Sequence, residues 1–436
     1  MYQLHEKMST VELQIAERAR KFKGEVLHSL YPFIDESMLQ DSYEKLNKQS
    51  AGGIDGKTWL QYGSEFPDRR EHLLEEFRSG RYKAPAIRRV YIRKDKHSHR
   101  PLGVPTIEDK ILQASVRRVI EPIYEEDFKP FSYGFRPGRS QHQAIEFMFR
   151  EVSFEKMHYI IDADIKNYFG SINHGILREF LDQRVNDGVI RRMIDKWLKA
   201  GVMESGNISY PEEGTPQGSV ISPILSNIYL HYVLDEWFSE QIQSLLKGKS
   251  FIVRWADDFI LGFSDKSDAE RVMEVLPKRF AKYKLTLHPE KTRLINLNDK
   301  RGGSGRSFDF LGFTHYLGKS RKGYKVLKRK TSSKSMTRAV MMMNGFIKQN
   351  RHMKLCELIS AINVRLRGHY GYFGYTFNFQ GINRYHRTVQ CILFKWLNRR
   401  GGKPNCKWDS FSLLIQEQVP LLKPFNLHSY ASLLRV

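Results

Sequence analysis

The strongest chemical signal in the chain is a pair of adjacent aspartates, Asp257 and Asp258, in FIVRWADDFILGF (residues 251–263). The β-branched and aromatic residues on either side carry no helical period, so they predict two buried strands joined by a tight turn at the aspartates. Like charges that close repel, burial raises the penalty, and a positive species is expected beside them. A second pair, Asp162 and Asp164, follows an apolar strand start in IIDADIKNYFGSI (160–172). Alternation puts both on one face, with Asp164 nearer the strand's end. A strand ending in Asp164 beside a hairpin tipped by Asp257 and Asp258 would gather three carboxylates. Oxygen-only donors suit Mg²⁺, or Mn²⁺, rather than zinc. Two such ions about 4 Å apart can activate an attacking hydroxyl and stabilise a leaving oxygen. Taken alone, an Asp-Asp pair is more often a hairpin turn or a helix cap.

The elements that must position these residues can be read in outline. Residues 1 to about 50 read as helices. A strand is predicted over 87–94, a helix over 107–127, a loop over 132–140 and a strand over 157–165. Helices over 174–185 and 189–202 precede a turn that feeds a long helix within 211–242. The hairpin follows, then a helix over 267–285 and a strand-like stretch over 308–316. DKRGGSGRS (299–307) reads as a flexible turn, and beyond about residue 320 the pattern reads as helical and basic.

Charge points to the partner. The 436 residues hold 71 Lys and Arg against 48 Asp and Glu, a net charge of +23. Between Gly323 and Lys407 there are 18 Lys or Arg and one acid, Glu357, so that segment supplies +17 of the total. It is interleaved with Tyr370, Tyr372, Phe373, Tyr375, Phe377, Tyr385 and Trp396. A short charge run is usually a solvated face. Over this length, cations for phosphates and flat rings for stacking favour nucleic acid. No run is long and apolar enough for a membrane span, no secretory leader is legible, and Cys356, Cys391 and Cys406 are too far apart for a zinc motif. A cytoplasmic protein with reduced thiols and no membrane partner is expected.

The motifs, taken in order, resemble those of group II intron-encoded reverse transcriptases over roughly residues 45 to 400. RWADDFILGF resembles the catalytic hairpin of reverse transcriptases. SAGGIDGKTW (50–59) is similar to their N-terminal motif, YIRKDKHSHRPLGVPTIEDKILQ (91–113) to the first finger motif and PFSYGFRPGRSQHQAI (130–145) to the second. IIDADIKNYFGSINH resembles the palm strand that bears the first metal ligand, and EEGTPQGSVISPILSNIYL (212–230) the nucleotide-pocket helix. LTLHPEKTRLI (285–295) and FDFLGF (308–313) resemble the last two palm motifs, and LRGHYGYFGYTFN (366–378) the maturase domain.

The resemblance implies an α+β right-hand polymerase of fingers, palm with an antiparallel sheet, and helical thumb. The expected divisions are an N-terminal extension to 45, fingers 46–150, palm 151–320, thumb or maturase domain 321–400 and a tail 401–436. Asp164 and Asp257 would be the main metal ligands, supported by Asp258. Lys94 and Arg100 would hold the incoming triphosphate, Phe169 would lie under the sugar and exclude a 2′-hydroxyl, and Gln217 would line the nucleotide pocket. Lys291 would approach the phosphates as a proton donor, and FDFLGF would grip the primer end. Lys328, Arg329, Lys330, Arg365 and Arg367 would bind RNA. The implied partners are dNTPs, an RNA template, a DNA or RNA primer, and group II intron RNA bound as a ribonucleoprotein. A stand-alone reverse transcriptase serving phage defence or repair has the same chemistry without the intron.

Two departures from the family pattern are visible: Trp255 stands where tyrosine is usual, and Tyr168-Phe169-Gly170 where Phe-Phe-Asp is common. The H-N-H endonuclease that many relatives carry after the maturase domain is expected to be absent.

Overall fold

The computed structural model describes residues 9–93, 99–204, 206–210, 212–299, 306–320, 322–399 and 407–428. The chain divides into two compact units. The first comprises Met1–Glu151 and Glu155–Leu294, the second Val152–Phe154 and Ile295–Val436. The expected palm boundary near residue 320 falls within the second unit.

In the first unit, helices α1 (Thr10–Lys21), α2 (Glu36–Lys45) and α3 (Trp59–Ser79) precede a hairpin of β1 (Ile87–Arg93) and β2 (His99–Val104). The hairpin pairs antiparallel from Arg88 opposite Val104 to Arg93 opposite His99. Helix α4 (Ile107–Asp127) starts where its sequence dictates. The Thr106 hydroxyl caps the amide of Asp109 at 3.2 Å, and Glu108 and Asp109 place negative charge at the positive end of the helix dipole. This helix is central to the core, with Ile111, Leu112, Val116, Val119, Ile120 and Ile123 inaccessible to solvent.

The catalytic-looking residues lie on a four-stranded sheet of order β6-β7-β3-β8, made of β3 (Tyr159–Asp164), β6 (Ser250–Trp255), β7 (Asp258–Phe263) and β8 (Arg293–Asn296). Strand β3 follows α5 (Gln141–Ser153) and is followed by α6 (His174–Asp182) and α7 (Gly188–Leu198). The short strands β4 (Val202–Glu204) and β5 (Asn207–Ser209) come next, β4 alongside β1. Helix α8 (Ser222–Leu230) continues through wider helical turns to Ile242, and α9 (Lys266–Lys282) follows the hairpin.

In the second unit β9 (Ser307–Phe310), β10 (Phe313–Lys319) and β11 (Lys325–Thr331) form an antiparallel sheet. Then come α10 (Ser333–Asn350), α11 (Leu355–Phe373), α12 (Phe379–Leu397) and the short α13 (Trp408–Leu413). FDFLGFTHY is two strands, because Leu311 and Gly312 both take positive φ and reverse the chain. The helical reading from residue 320 is corrected: KVLKRKT is β11, with Leu327, Arg329 and Thr331 buried on one face. Long basic side chains on both faces of a strand hide the period of two.

Candidate polymerase active site

Strands β6 and β7 form the expected hairpin, with Trp255 opposite Asp258 and only Ala256 and Asp257 in the turn. Asp258 is thus the first residue of β7 and not part of the turn. It stands opposite Asp164, the last residue of β3. The register therefore brings Asp164 and Asp258 side by side, with Asp257 adjacent in the turn. Burial pushes the Asp257 carboxyl up, and the neighbouring Asp164 adds to that, while Arg100 and Arg254 oppose it. Burial holds Asp258 well above the carboxylate range, reinforced by Asp162, Asp257 and Asp164 and opposed by Lys291.

A lysine cation stands at the edge of this cluster, on Asp164. Lys291 Nζ lies 2.5 Å from Asp164 Oδ2. The loop bearing it is clipped to the end of β3: the amide of Lys166 donates to Thr286 O at 2.8 Å and that of His288 to Asp164 O at 2.7 Å. Arg293 stands 3.3 Å from Asp162, the second carboxylate on that face of β3. The donor set, carboxylate oxygen without sulfur or imidazole, fits a hard divalent cation. Among the described residues no three His, Cys, Asp or Glu side chains are already arranged around an ion position; Lys291 takes up part of the charge of Asp164 instead.

The family model described as reverse transcriptase (RNA-dependent DNA polymerase) matches residues 92–315, just over half of the 436. The chain belongs to the reverse transcriptase family. Protein YkfC of Escherichia coli (strain K12) is 34% identical over 309 residues, covering 62% of this chain and 77% of that protein. The group II intron-encoded protein LtrA of Lactococcus lactis subsp. cremoris is 37% identical over 160 residues, 36% of this chain and 26% of LtrA. The putative COX1/OXI3 intron 2 protein of Saccharomyces cerevisiae is 27% identical over 286 residues, 65% of this chain and 31% of that protein. The match thus spans about a quarter to a third of these two intron-encoded relatives. They bear out the resemblance read from the motifs, as the sheets and helices above bear out the α+β fold of a right-hand polymerase.

In this reverse transcriptase the remaining expected residues divide into three groups. Phe169 is half-buried, with its ring centre 5.5 Å from that of Tyr168, and its carbonyl accepts from the amide of Thr215 at 2.7 Å. That bond ties the turn after β3 to the TPQGS loop. The Gln217 carbonyl accepts from the amide of Gly103 at 2.6 Å, so the loop expected to line the nucleotide pocket is hydrogen-bonded to β2, the strand that also carries Arg100. A Cβ at Gly218, where φ is +105°, would stand 2.7 Å from Gly103 O, so only glycine permits this approach. Arg100 is exposed and its charge reaches Asp257, whereas Lys94 lies outside the described residues.

The basic segment divides differently from the sequence expectation. Lys330, Arg365 and Arg367 are exposed and Lys328 is half-buried. Arg329 is fully buried, its guanidinium carbon 4.7 Å from the Tyr375 ring centre, so it is not an RNA-facing cation. Strand alternation turns it into the core while Lys328 and Lys330 point the other way. Of the rings expected to stack on bases, Tyr370, Tyr375 and Tyr385 are likewise buried. Arg365 lies 3.4 Å above the Phe346 ring. Among the described residues no helix is long and apolar enough to cross a membrane.

Sequence reading missed Arg254, Asp235 and Asn227. Arg254 stands two places before the turn, in a strand whose neighbours are apolar, and a charge there was itself the signal that it needed a buried partner.

Proposed function

We propose that this reverse transcriptase extends a primer with dNTPs on an RNA template. The primer 3′-oxygen bonds to the α-phosphorus as the bond from that phosphorus to the bridging oxygen breaks, the hydroxyl proton passes to water and pyrophosphate leaves. The observation that carries the reading is the strand register that sets Asp258 opposite Asp164 with Asp257 in the adjoining turn. Asp164, Asp257 and Asp258 would hold Mg²⁺ or Mn²⁺, which supplies charge neutralisation at the triphosphate and activation of the attacking hydroxyl. Arg100, together with Lys94, binds the triphosphate by charge-assisted hydrogen bonds. Phe169 closes the sugar site against a 2′-hydroxyl, and Gln217 lines the base-paired nucleotide. Lys291, held by Asp164 in the structure, moves its Nζ to the leaving pyrophosphate and protonates it. FDFLGF grips the primer end.

The second part of the proposal is a maturase role. The relatives named as intron-encoded and the +17 charge of residues 323–407 support binding of group II intron RNA, which would itself carry out splicing. Lys328, Lys330, Arg365 and Arg367 serve as phosphate contacts.

Primer extension on an RNA template, with wild type and Asp257→Ala, tests the polymerase reading. RNA affinity of the same variant should stay near wild type. Extension by Asp257→Ala at the wild-type rate overturns the assignment of the site. Co-purification of the intron transcript and its assisted splicing at low Mg²⁺ test the maturase role.

A further inference from the structure

The turn that carries Asp257 is built on a residue poorly suited to it. Ala256 adopts φ +56°, a left-handed conformation that side chain-bearing residues avoid. Such a conformation persists only where the surroundings enforce it, and here a buried network does so. Arg254 Nη1 donates to the Ala256 carbonyl at 3.0 Å and to Asn227 Oδ1 at 3.0 Å. Its Nε and Nη2 fork onto the two oxygens of Asp235 at 2.8 and 2.5 Å. Asn227 Nδ2 donates onward to the Gly134 carbonyl at 2.8 Å, and a Cβ at Gly134 would stand 2.2 Å from Ala256 N. The backbone of Arg254 is held as well, its amide donating to Phe131 O at 3.0 Å and its carbonyl accepting from Tyr133 at 2.9 Å. Asp235 lies where the helix after α8 widens over His231–Asp235, a distortion common at functional sites.

The side chains of Arg254 and Asp235 are both inaccessible to solvent. A buried ion pair is a poor source of stability, since apolar residues of similar volume often serve as well. Apolar residues cannot hold the carbonyl of residue 256. We propose that Arg254, set by Asp235 and Asn227, is a positioning residue of the polymerase reaction. It fixes the Ala256–Asp257 peptide and thereby the direction in which the Asp257 carboxylate points. The inference rests on the reading of Asp257 as a metal-holding carboxylate.

The test is the charge-neutral double variant Arg254→Met/Asp235→Leu, which removes the network without changing net charge. Its melting temperature without metal and its affinity for an RNA–primer duplex should stay near wild type. Its kcat for extension should fall by on the order of 10²-fold, the cost of a small misplacement of a reacting group, with little change in the KM for dNTP. Uptake of Mn²⁺, followed without nucleotide by loss of the free-ion paramagnetic resonance signal, should weaken severalfold. Arg254→Lys keeps the charge but not the fork and should show the same defects in milder form. Wild-type kcat and Mn²⁺ uptake in a folded double variant overturn the proposal. If the double variant does not fold, Arg254→Lys decides: unaltered kcat and Mn²⁺ uptake overturn it, and lowered values with an intact melting temperature support it. Asp257→Ala separates the two levels. If that variant still extends primers, the reading of the site falls. If it is inactive while the double variant works normally, only the positioning role falls.

Discussion

Two fully buried arginines, Arg254 and Arg329, show how differently the two units handle charge. Arg254 sits in the carboxylate-bearing sheet of the first unit with its fork on Asp235 and one nitrogen on the backbone of the turn. Arg329 sits in β11 of the second unit, over the Tyr375 ring, where burial and then its charge hold His315 well below the usual imidazole range. Both lie on strands, but only Arg329 was drawn inward by alternation; β6 is buried on both faces around Arg254. The first acts through direction, because a bidentate carboxylate fixes the guanidinium plane. The second acts through packing, because a ring face accepts a cation with little angular demand. The neighbours diverge in the same way. Cations near the hairpin act on carboxylates, whereas the exposed cations of the second unit face a segment with one acid among 85 residues.

This contrast can be broken or sharpened by experiment. The largest effect is expected at the carboxylates: Asp257→Ala or Asp164→Ala should lower extension by on the order of 10³-fold or more, beyond the loss of a single oxyanion donor. The dependence of RNA affinity on salt should not move. An altered salt slope in these variants would mean that the carboxylate sheet and the basic segment do not act separately.

Next in size is the sugar wall. Phe169→Val should raise the kcat/KM ratio of rNTP to dNTP by roughly 10–200-fold, the range for removal of a steric contact in a pocket. A ratio that stays fixed would make Phe169 a core residue alone.

The third prediction compares cations one residue apart. Lys328→Gln with Lys330→Gln should flatten the plot of log affinity against log salt by about 1–2 units. Arg329→Gln should leave the slope unchanged and lower stability by roughly 1–3 kcal/mol, because the change falls in the core. Equal salt slopes for the double variant and wild type would place Lys328 and Lys330 away from RNA.

The last prediction concerns stability alone, through a buried acid in the first unit. Asp109 Oδ1 accepts from Tyr82 at 2.9 Å and from Trp197 Nε1 at 3.0 Å, while Oδ2 has no hydrogen-bond partner among the described residues. Burial raises its pKa to about 7. The fold therefore favours the protonated acid, and stability should fall as pH rises from about 4 to about 7, where the native state binds more protons than the unfolded chain. Asp109→Asn removes that slope. Relative to wild type it should gain about 4 kcal/mol between pH 4 and pH 8, read from melting temperatures across pH. A constant difference between the two proteins would show that Asp109 stays ionised in the fold.

Much of this was legible in the sequence, and each exception has its own physical cause. Helix α4 was read with its observed ends because Thr106 and its acidic first turn are local signals. The carboxylate strand and hairpin were legible because apolar runs interrupted by charge are rare in a core. The basic strand β11 was misread as helical because its long cations populate both faces and erase alternation. The buried rings of α11 and α12 were misassigned to RNA because an aromatic residue suits a core and a stacking platform equally well.

The sequence by itself determined which groups could do chemistry, their order along the chain and the sign of the partner's charge. Those follow from residue type, spacing and count. Only the tertiary structure decided that Asp164 faces Asp258, that Lys291 lies on Asp164, that Arg329 is inside, and that Arg254, Asp235 and Asn227 meet under the turn. Each of these joins residues distant in the chain or depends on which side of a strand faces the core. Strand pairing and burial settle both, and neither is a local property of the sequence.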